Sequence, residues 1–226
     1  MYIWVHLNNL NKTMATIGTL TASANSTFNL DFLPQFILIG APDTDIPVTT
    51  LSVVTAGQQI ISLTSAANII AFAKYQQGAL LGADVKVPMG ITVASGRVNK
   101  GTTINMLNGG LTTPAVYAVS NTKGNIARQA VETSINASAN ATYAGFEALF
   151  FNPTNVLRAS ITFADGFADE FSVPELDAMF AKTNICDADG RLNGLTVISG
   201  IGVQSVTLFN GSGGATTVVI SQFLQL

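Results

Sequence analysis

The sequence predicts an all-β chain built as two tandem β-sandwiches or barrels, related by internal duplication, each with one short flanking α-helix. Three observations predict it. A strand–turn–strand–helix unit occurs twice: shifted by about 108 positions, Leu51–Lys74 falls without a gap on Ala159–Lys182. Two flanking echoes keep the same order, Ala22–Phe28 with Ala137–Tyr143 and Thr103–Gly109 with Ser205–Gly211. Short β runs with turn signals about every ten residues fill most of the remainder, which is the pattern of a sandwich or barrel.

In the repeated unit, Ser52, Ala56 and Phe72-Ala73-Lys74 meet identical residues at Ser160, Ala164 and Phe180-Ala181-Lys182. An alternating β run, Leu51–Val54 or Ala159–Phe163, leads to a turn at Ala56-Gly57-Gln58 or Ala164-Asp165-Gly166 and a second short strand. Thr64 and Ser172 then stand as matched helix N-caps, because a hydroxyl oxygen can accept one of the N–H groups that the first turn leaves unpaired. Ser172-Val173-Pro174-Glu175 has capping-box spacing, and Pro174 sits where a missing N–H does little harm.

Along the chain, residues 1–13, carrying Tyr2, Ile3, Trp4 and Val5, read either as an arm or edge strand or as a first core strand of the same subunit. Strands are expected at Thr16–Thr21, Thr27–Phe32 and Phe36–Ile39, with a loop at Gly40–Asp45. The first helix is expected at Ser65–Gln77, with Ile69, Phe72 and Ala73 at helical spacing. Gly78–Pro88 reads as a loop or weak strand, and Ile91–Ala94, Thr102–Leu107 and Ala115–Val119 complete the first half. The polar stretch Ser120–Gln129 is the linker candidate, dividing a first domain (1–125) from a second (126–226). There, strands are expected at Glu132–Ala137, Ala144–Phe151, Leu157–Phe163 and Glu170–Phe171, then a helix at Val173–Lys182. Leu195–Ile198, Ser205–Phe209 and Thr216–Leu224 close the chain, the last with the β-branched run Thr217–Ser221.

Composition excludes several functions. Charged residues make up 10% of the 226 residues, against about 25% in an ordinary soluble domain, and mean hydropathy is +0.41. Such a surface is built from Ser, Thr, Asn and Gln, or is covered by partners. A net charge of −3 with scattered Lys and Arg argues against a nucleic-acid footprint, which needs a basic stripe. One cysteine, Cys186, rules out an intramolecular disulfide framework and a multi-cysteine zinc site. No apolar run is long enough to span a bilayer as a helix. The opening MYIWVHLNNLNK has neither the basic n-region nor the long h-region of a secretion signal.

Candidate chemistry is sparse. The single histidine, His6, has no acidic or nucleophilic neighbour to form a triad or metal site. Asp169, Glu170, Glu175 and Asp177 cluster in sequence and could in principle supply a glycosidase carboxylate pair. The structural reading is helix capping plus a solvated turn, since negative charge is favoured at a helix N-terminus. Asp187-x-Asp189-Gly190 resembles a fragment of a calcium loop but lacks the third acidic ligand and the closing Glu. Gly213-Gly214 are turn residues, and Tyr2 and Trp4 are too few for a carbohydrate or stacking platform. No catalytic, cofactor or metal residue is assigned.

The two units Leu51–Gln77 and Ala159–Asn184, extended by the Asn-Gly turns at Asn108-Gly109 and Asn210-Gly211, resemble the double jelly-roll major capsid proteins of tailless, membrane-containing icosahedral bacteriophages. The resemblance covers most of the chain as architecture and rests on no diagnostic short motif. It implies a homotrimer of pseudo-hexagonal outline tiling an icosahedral shell over an internal membrane. Other capsid or vertex proteins would be partners, the virion would be the location, and synthesis would occur in the host cytoplasm. It further implies helices on the barrel flanks and an N-terminal arm facing inward or reaching a neighbour. At about 110 residues per half, this chain would be a minimal member with short loops. A tandem β-sandwich binding module, such as an adhesin, pilus-like subunit or phage fibre domain, is the alternative, although a bacterial one would normally carry a secretion signal. An enzyme rests on the Asp169–Asp177 carboxylates alone.

Overall fold

The structure is a computed structural model that describes residues 14–31, 36–42, 47–55, 57–77, 86–90, 101–119, 126–181 and 186–225. The arm at 1–13, the strand expected at Ile91–Ala94 and the helix end at Lys182 lie outside the described residues.

The first half contains β1 (Met14–Thr19), β2 (Asn25–Leu30), β3 (Phe36–Pro42), β4 (Val48–Thr55), β5 (Gln58–Leu63), α1 (Ala66–Gln77), β6 (Lys86–Gly90), β7 (Thr102–Asn108) and β8 (Ala115–Val119). The second contains β9 (Ile126–Ile135), β10 (Asn140–Ala144), β11 (Ala148–Phe151), β12 (Val156–Phe163), β13 (Ala168–Ser172), α2 (Val173–Phe180), β14 (Thr196–Ser199), β15 (Val203–Asn210) and β16 (Thr216–Gln225). A 3-10 turn at Pro153–Asn155 precedes β12.

Strand order carries the duplication. In the first half the sheets run β1-β8-β3-β6 and β2-β7-β4-β5; in the second they run β9-β16-β11-β14 and β10-β15-β12-β13. Each half is thus an eight-stranded jelly roll in which first and last strands are neighbours and the helix links the fifth strand to the sixth. Pairing is antiparallel within each unit. Between the units, β5 and β9 pair in parallel at Ile61↔Ala130 and Ser62↔Val131. That pairing fuses one sheet of each unit into a single sheet of eight strands.

Local sequence explains the strands. In β7 the residues alternate between buried and half-buried, and β4 does so from Leu51 onward, as expected when one face of a pleated strand meets a core. β11 differs, because all four of its residues are buried. Leu149 and Phe151 enter the second unit's core, whereas Ala148 and Phe150 join the first unit's cluster. Val218 and Val219 of β16, and Ile198 and Val197 of β14, divide in the same way. A sheet covered on both faces reads as a continuous apolar run, and the cover on its outer face is α1.

Each jelly roll carries its expected flanking helix, and α1 flanks the first unit on the side that faces the second. α1 lies between the two units and buries Ile69, Ala71, Phe72, Ala73 and Tyr75. Burial of a side chain the size of Phe72 or Phe150 contributes roughly 2–3 kcal/mol relative to exposure. α2 lies on the flank of the second: Val173 and Leu176 are buried beneath it, while Met179 is 42% exposed.

Four boundaries move. The N-cap of α1 is Ser65 rather than Thr64, with the Asn68 N–H donating to Ser65 Oγ at 3.2 Å. The expected strand Ala144–Phe151 is two strands, broken at Gly145 with φ of 68°. β3 runs through Pro42 into the expected loop, and β9 starts at Ile126, inside the expected linker. The last shift reflects the ten-residue ladder of β9 with β16, whose partner strand supplies the order that Ile126–Gln129 lack by composition.

Candidate functional site

A polar cluster occupies the seam between the units, where α1 begins. Glu132 on β9 accepts from the Thr64 backbone N–H at 2.8 Å, from the Thr64 hydroxyl, and from the Asn68 side-chain amide at 2.7 Å. A carboxylate at a helix N-terminus is favoured both by the unpaired N–H groups and by the dipole. Here it comes from the other unit, so the same bonds that cap α1 also fix the second unit against the first. Gln129 donates to the Gln59 carbonyl at 3.0 Å, and Gln222 donates to Gln129. Beneath them the Tyr75 and Phe150 rings meet edge to face at 5.2 Å, a preferred aromatic geometry.

Beside the seam opens a cleft of about 380 Å³, lined by Thr64, Asn68, Asn155, Leu195, Thr216 and neighbouring small residues. Its lining includes no ionisable side chain, so it offers hydrogen bonds but no general base or activated nucleophile.

The acidic segment does not converge on a reacting centre. Asp169, on β13, accepts the Glu170 N–H at 2.8 Å, and Glu170 pairs with Arg158 at 3.0 Å in an exposed bridge. Glu175 reaches back over the start of α2, where Oε2 accepts the Ser172 N–H and hydroxyl, each at 2.7 Å. These two bonds, hydroxyl first, hold its carboxyl below its ordinary range. The expected cap is therefore present for Glu175. Asp177 departs from the expected solvated turn. It is 4% exposed, takes Arg191 Nε at 2.8 Å and accepts the Thr196 hydroxyl at 2.7 Å. It ties α2 to β14 and to the preceding loop.

That loop is the Asp187-Ala188-Asp189-Gly190 segment. Asp187 Oδ1 accepts the N–H groups of Asp189 at 3.1 Å and Arg191 at 2.8 Å, so the side chain organises a turn. Gly190 has φ of 78°, and a Cβ there would lie 2.7 Å from the Asp177 carbonyl oxygen. The residue must be small and left-handed because the turn packs directly on α2. Among the described residues no three His, Cys, Asp or Glu side chains gather in a metal-ligating group. Cys186 is half-buried, and His6, Tyr2 and Trp4 lie outside the described residues. No helix among the described residues is long and apolar enough to cross a membrane.

Sequence reasoning missed Glu132 and the Asp177–Arg191 pair. Glu132 carried one signal, a lone carboxylate inside a β run that continues Thr133-Ser134-Ile135. The Asp177 pair carried none, because its partners lie beyond the helix end.

No protein-family model and no curated protein matches this sequence. Solved structures do match its fold over nearly the whole length. The major capsid protein P2 from bacteriophage PM2 aligns with a TM-score of 0.66 and 9% identity, covering 95% of this chain and 98% of that one. The STIV MCP, a major capsid protein, aligns with a TM-score of 0.60 and 12% identity, covering 94% of this chain and 96% of that one. The chain therefore has the double jelly-roll fold of these two major capsid proteins.

Proposed function

We propose that this chain is a structural virion protein, the major capsid subunit of an icosahedral shell. Three copies form a pseudo-hexameric trimer, and the trimers tile the shell. One observation carries the reading: both jelly rolls, in their order, align with two major capsid proteins over at least 94% of every chain compared. The boundaries 1–125 and 126–226 divide the subunit into its two jelly rolls. Low charge supports a surface that neighbours cover, since the centre of a protein interface is depleted in charged residues. The role is non-enzymatic, and the Asp169–Asp177 carboxylates serve the fold. Partners are further copies of the chain, other capsid or vertex proteins and a membrane beneath the shell, with no sequence-specific nucleic acid. The chain is made in the host cytoplasm and resides in the virion.

Light scattering after size-exclusion chromatography tests this reading. A particle of three 23.5 kDa chains, hexagonal in electron micrographs, is the expected result. A monomer at all concentrations used would overturn it.

A further inference from the structure

We infer that Asn193 is a site of spontaneous covalent modification, at which the backbone nitrogen of Gly194 displaces the side-chain amide and leaves aspartate or isoaspartate. The chain holds three Asn-Gly pairs, Asn108-Gly109, Asn193-Gly194 and Asn210-Gly211, each preceded by a large apolar residue. Glycine after asparagine hinders ring closure least, because it has no side chain and its backbone turns freely. The three pairs therefore start from similar intrinsic reactivity, and the fold decides which of them reacts.

Two of the pairs are locked. Asn108 and Asn210 are buried, and the Gly109 and Gly211 N–H groups donate to the Pro47 and Asn155 carbonyls, both at 2.7 Å. Each side chain is held through both its atoms. Asn108 donates to Thr112 and accepts the Gly110 N–H at 2.9 Å, while Asn210 donates to Gly214 and accepts the Thr216 hydroxyl. Attack would require the glycine nitrogen to leave its carbonyl and the amide to turn within a packed corner. A Cβ at Gly109 would lie 2.8 Å from Thr49 Cγ2, and one at Gly211 would lie 3.2 Å from the Asn155 carbonyl oxygen, so the surroundings are closed around both nitrogens.

Asn193 sits differently. With Gly194 it forms the tip of a two-residue hairpin, closed by the Leu192 N–H on the Leu195 carbonyl at 2.8 Å and the reverse bond at 3.1 Å. Both tip residues are left-handed, with φ of 53° and 77°, as such a turn requires. Leu192 and Leu195 are buried in the first unit's cluster, so the hairpin is anchored while Asn193 and Gly194 are exposed. Nothing lies within 4 Å of a Cβ built at Gly194, and among the described residues no acceptor takes its N–H. Asn193 Nδ2 donates to the Ala67 carbonyl in the first turn of α1, at a long 3.4 Å.

The reaction needs only water and base. Hydroxide takes the Gly194 N–H proton, the nitrogen bonds to Asn193 Cγ, and the Cγ–Nδ2 bond breaks as Nδ2 takes a proton from water and leaves as ammonia. Water then opens the cyclic imide at either carbonyl, giving aspartate or isoaspartate. The departing Nδ2 is the atom that reaches Ala67. Modification therefore removes a hydrogen bond between the second unit's hairpin and the first unit's helix, and sets a carboxylate opposite the Ala67 carbonyl.

Peptide mapping by mass spectrometry of the native full chain tests this site. One sample is held folded in mildly alkaline buffer and another in the same buffer with concentrated urea, and fragmentation spectra locate each amide-to-acid conversion. In the folded chain, conversion at Asn193 is expected to run at least about tenfold faster than at Asn108 and Asn210, which react only through local opening. In urea the three rates should become alike. An isoaspartate-specific methyltransferase should label the folded product at residue 193. Equal rates at the three sites in the folded chain, or no conversion at Asn193 where the urea sample converts, would overturn the assignment. A lead of Asn193 that persists in urea would overturn it too, because local sequence rather than the fold would then select the site.

Discussion

Asn108 and Asn210 occupy the same place in the two jelly rolls. Each donates its side-chain amide to the carbonyl four residues on, at 2.7 Å to Thr112 and 2.8 Å to Gly214. The surrounding backbone matches too. The Asn108 N–H donates to Ala24 at 3.0 Å and that of Asn210 to Ala139 at 2.9 Å, while Gly109 and Gly211 donate to Pro47 and Asn155, both at 2.7 Å. Ser23 and Ser138, in the facing loops, share a left-handed backbone with φ of 49° and 57°. The two flanking sequence echoes therefore meet at one corner of each unit, where a buried asparagine amide and the neighbouring backbone N–H groups together hold three loops.

Asn210→Ala is the first test of that corner. The residue is 4% exposed and also donates to Ile135 and Asn136, while accepting the Thr216 hydroxyl at 2.8 Å. Truncation leaves the buried Ile135 carbonyl without this donor and the buried Thr216 hydroxyl without its acceptor, and each such loss costs about 1–3 kcal/mol. A destabilisation of about 2–4 kcal/mol is expected in urea unfolding. Asn108→Ala should cost less, because its amide donates to the Thr112 carbonyl whereas that of Asn210 serves three.

These corners also define what the sequence made legible. The echoes Ala22–Phe28 with Ala137–Tyr143, and Thr103–Gly109 with Ser205–Gly211, are short and rich in small polar residues, yet they mark equivalent strands because the corner needs those residues. The fold class and the duplication followed from such local chemistry. The cap of α1 did not. Thr64 and Ser65 both carry a suitable hydroxyl, and the choice is made by Glu132, 68 residues away, which takes the Thr64 N–H. The burial of Asp177 was illegible for the same reason, since Arg191 and Thr196 reach it through the fold. The double burial of β11 was written in Ala148-Leu149-Phe150-Phe151, but an apolar run does not say what covers it.

Phe150 tests that cover. Phe150→Ala opens a cavity facing Tyr75 and α1, and truncation of a buried phenylalanine costs about 3–5 kcal/mol. The native chain should unfold in one transition reported alike by fluorescence and circular dichroism, because the units share this cluster. The variant should lower the midpoint, and non-coincident probe curves would mark loss of coupling between units.

Asp177 separates a structural carboxylate from a chemical one. Asp177→Ala leaves Arg191 without its partner and the Thr196 hydroxyl without its acceptor. Loss of one partner of a buried pair costs about 3–5 kcal/mol, and the 29% exposure of the Arg191 side chain places the expected loss near the low end. Asp177→Asn keeps an oxygen for Thr196 and should cost less. Both values come from denaturant titration. A hydrolytic activity lost in either variant at unchanged stability would refute the structural assignment.

Glu175 gives a pH signature. Its carboxyl is held below the ordinary range by the Ser172 hydroxyl and N–H, so the folded state binds the proton less readily than the unfolded chain. The sign follows from linkage: the stabilisation is present above the unfolded carboxylate range and is lost as pH falls through the depressed folded value. Glu175→Gln removes the charge at every pH. The native chain should therefore melt above Glu175→Gln at neutral pH, with the gap narrowing through the acid range and closing once the native carboxyl is protonated. A gap of constant size across that range, in melts followed by circular dichroism, would show that Glu175 acts through packing rather than through its charge on Ser172.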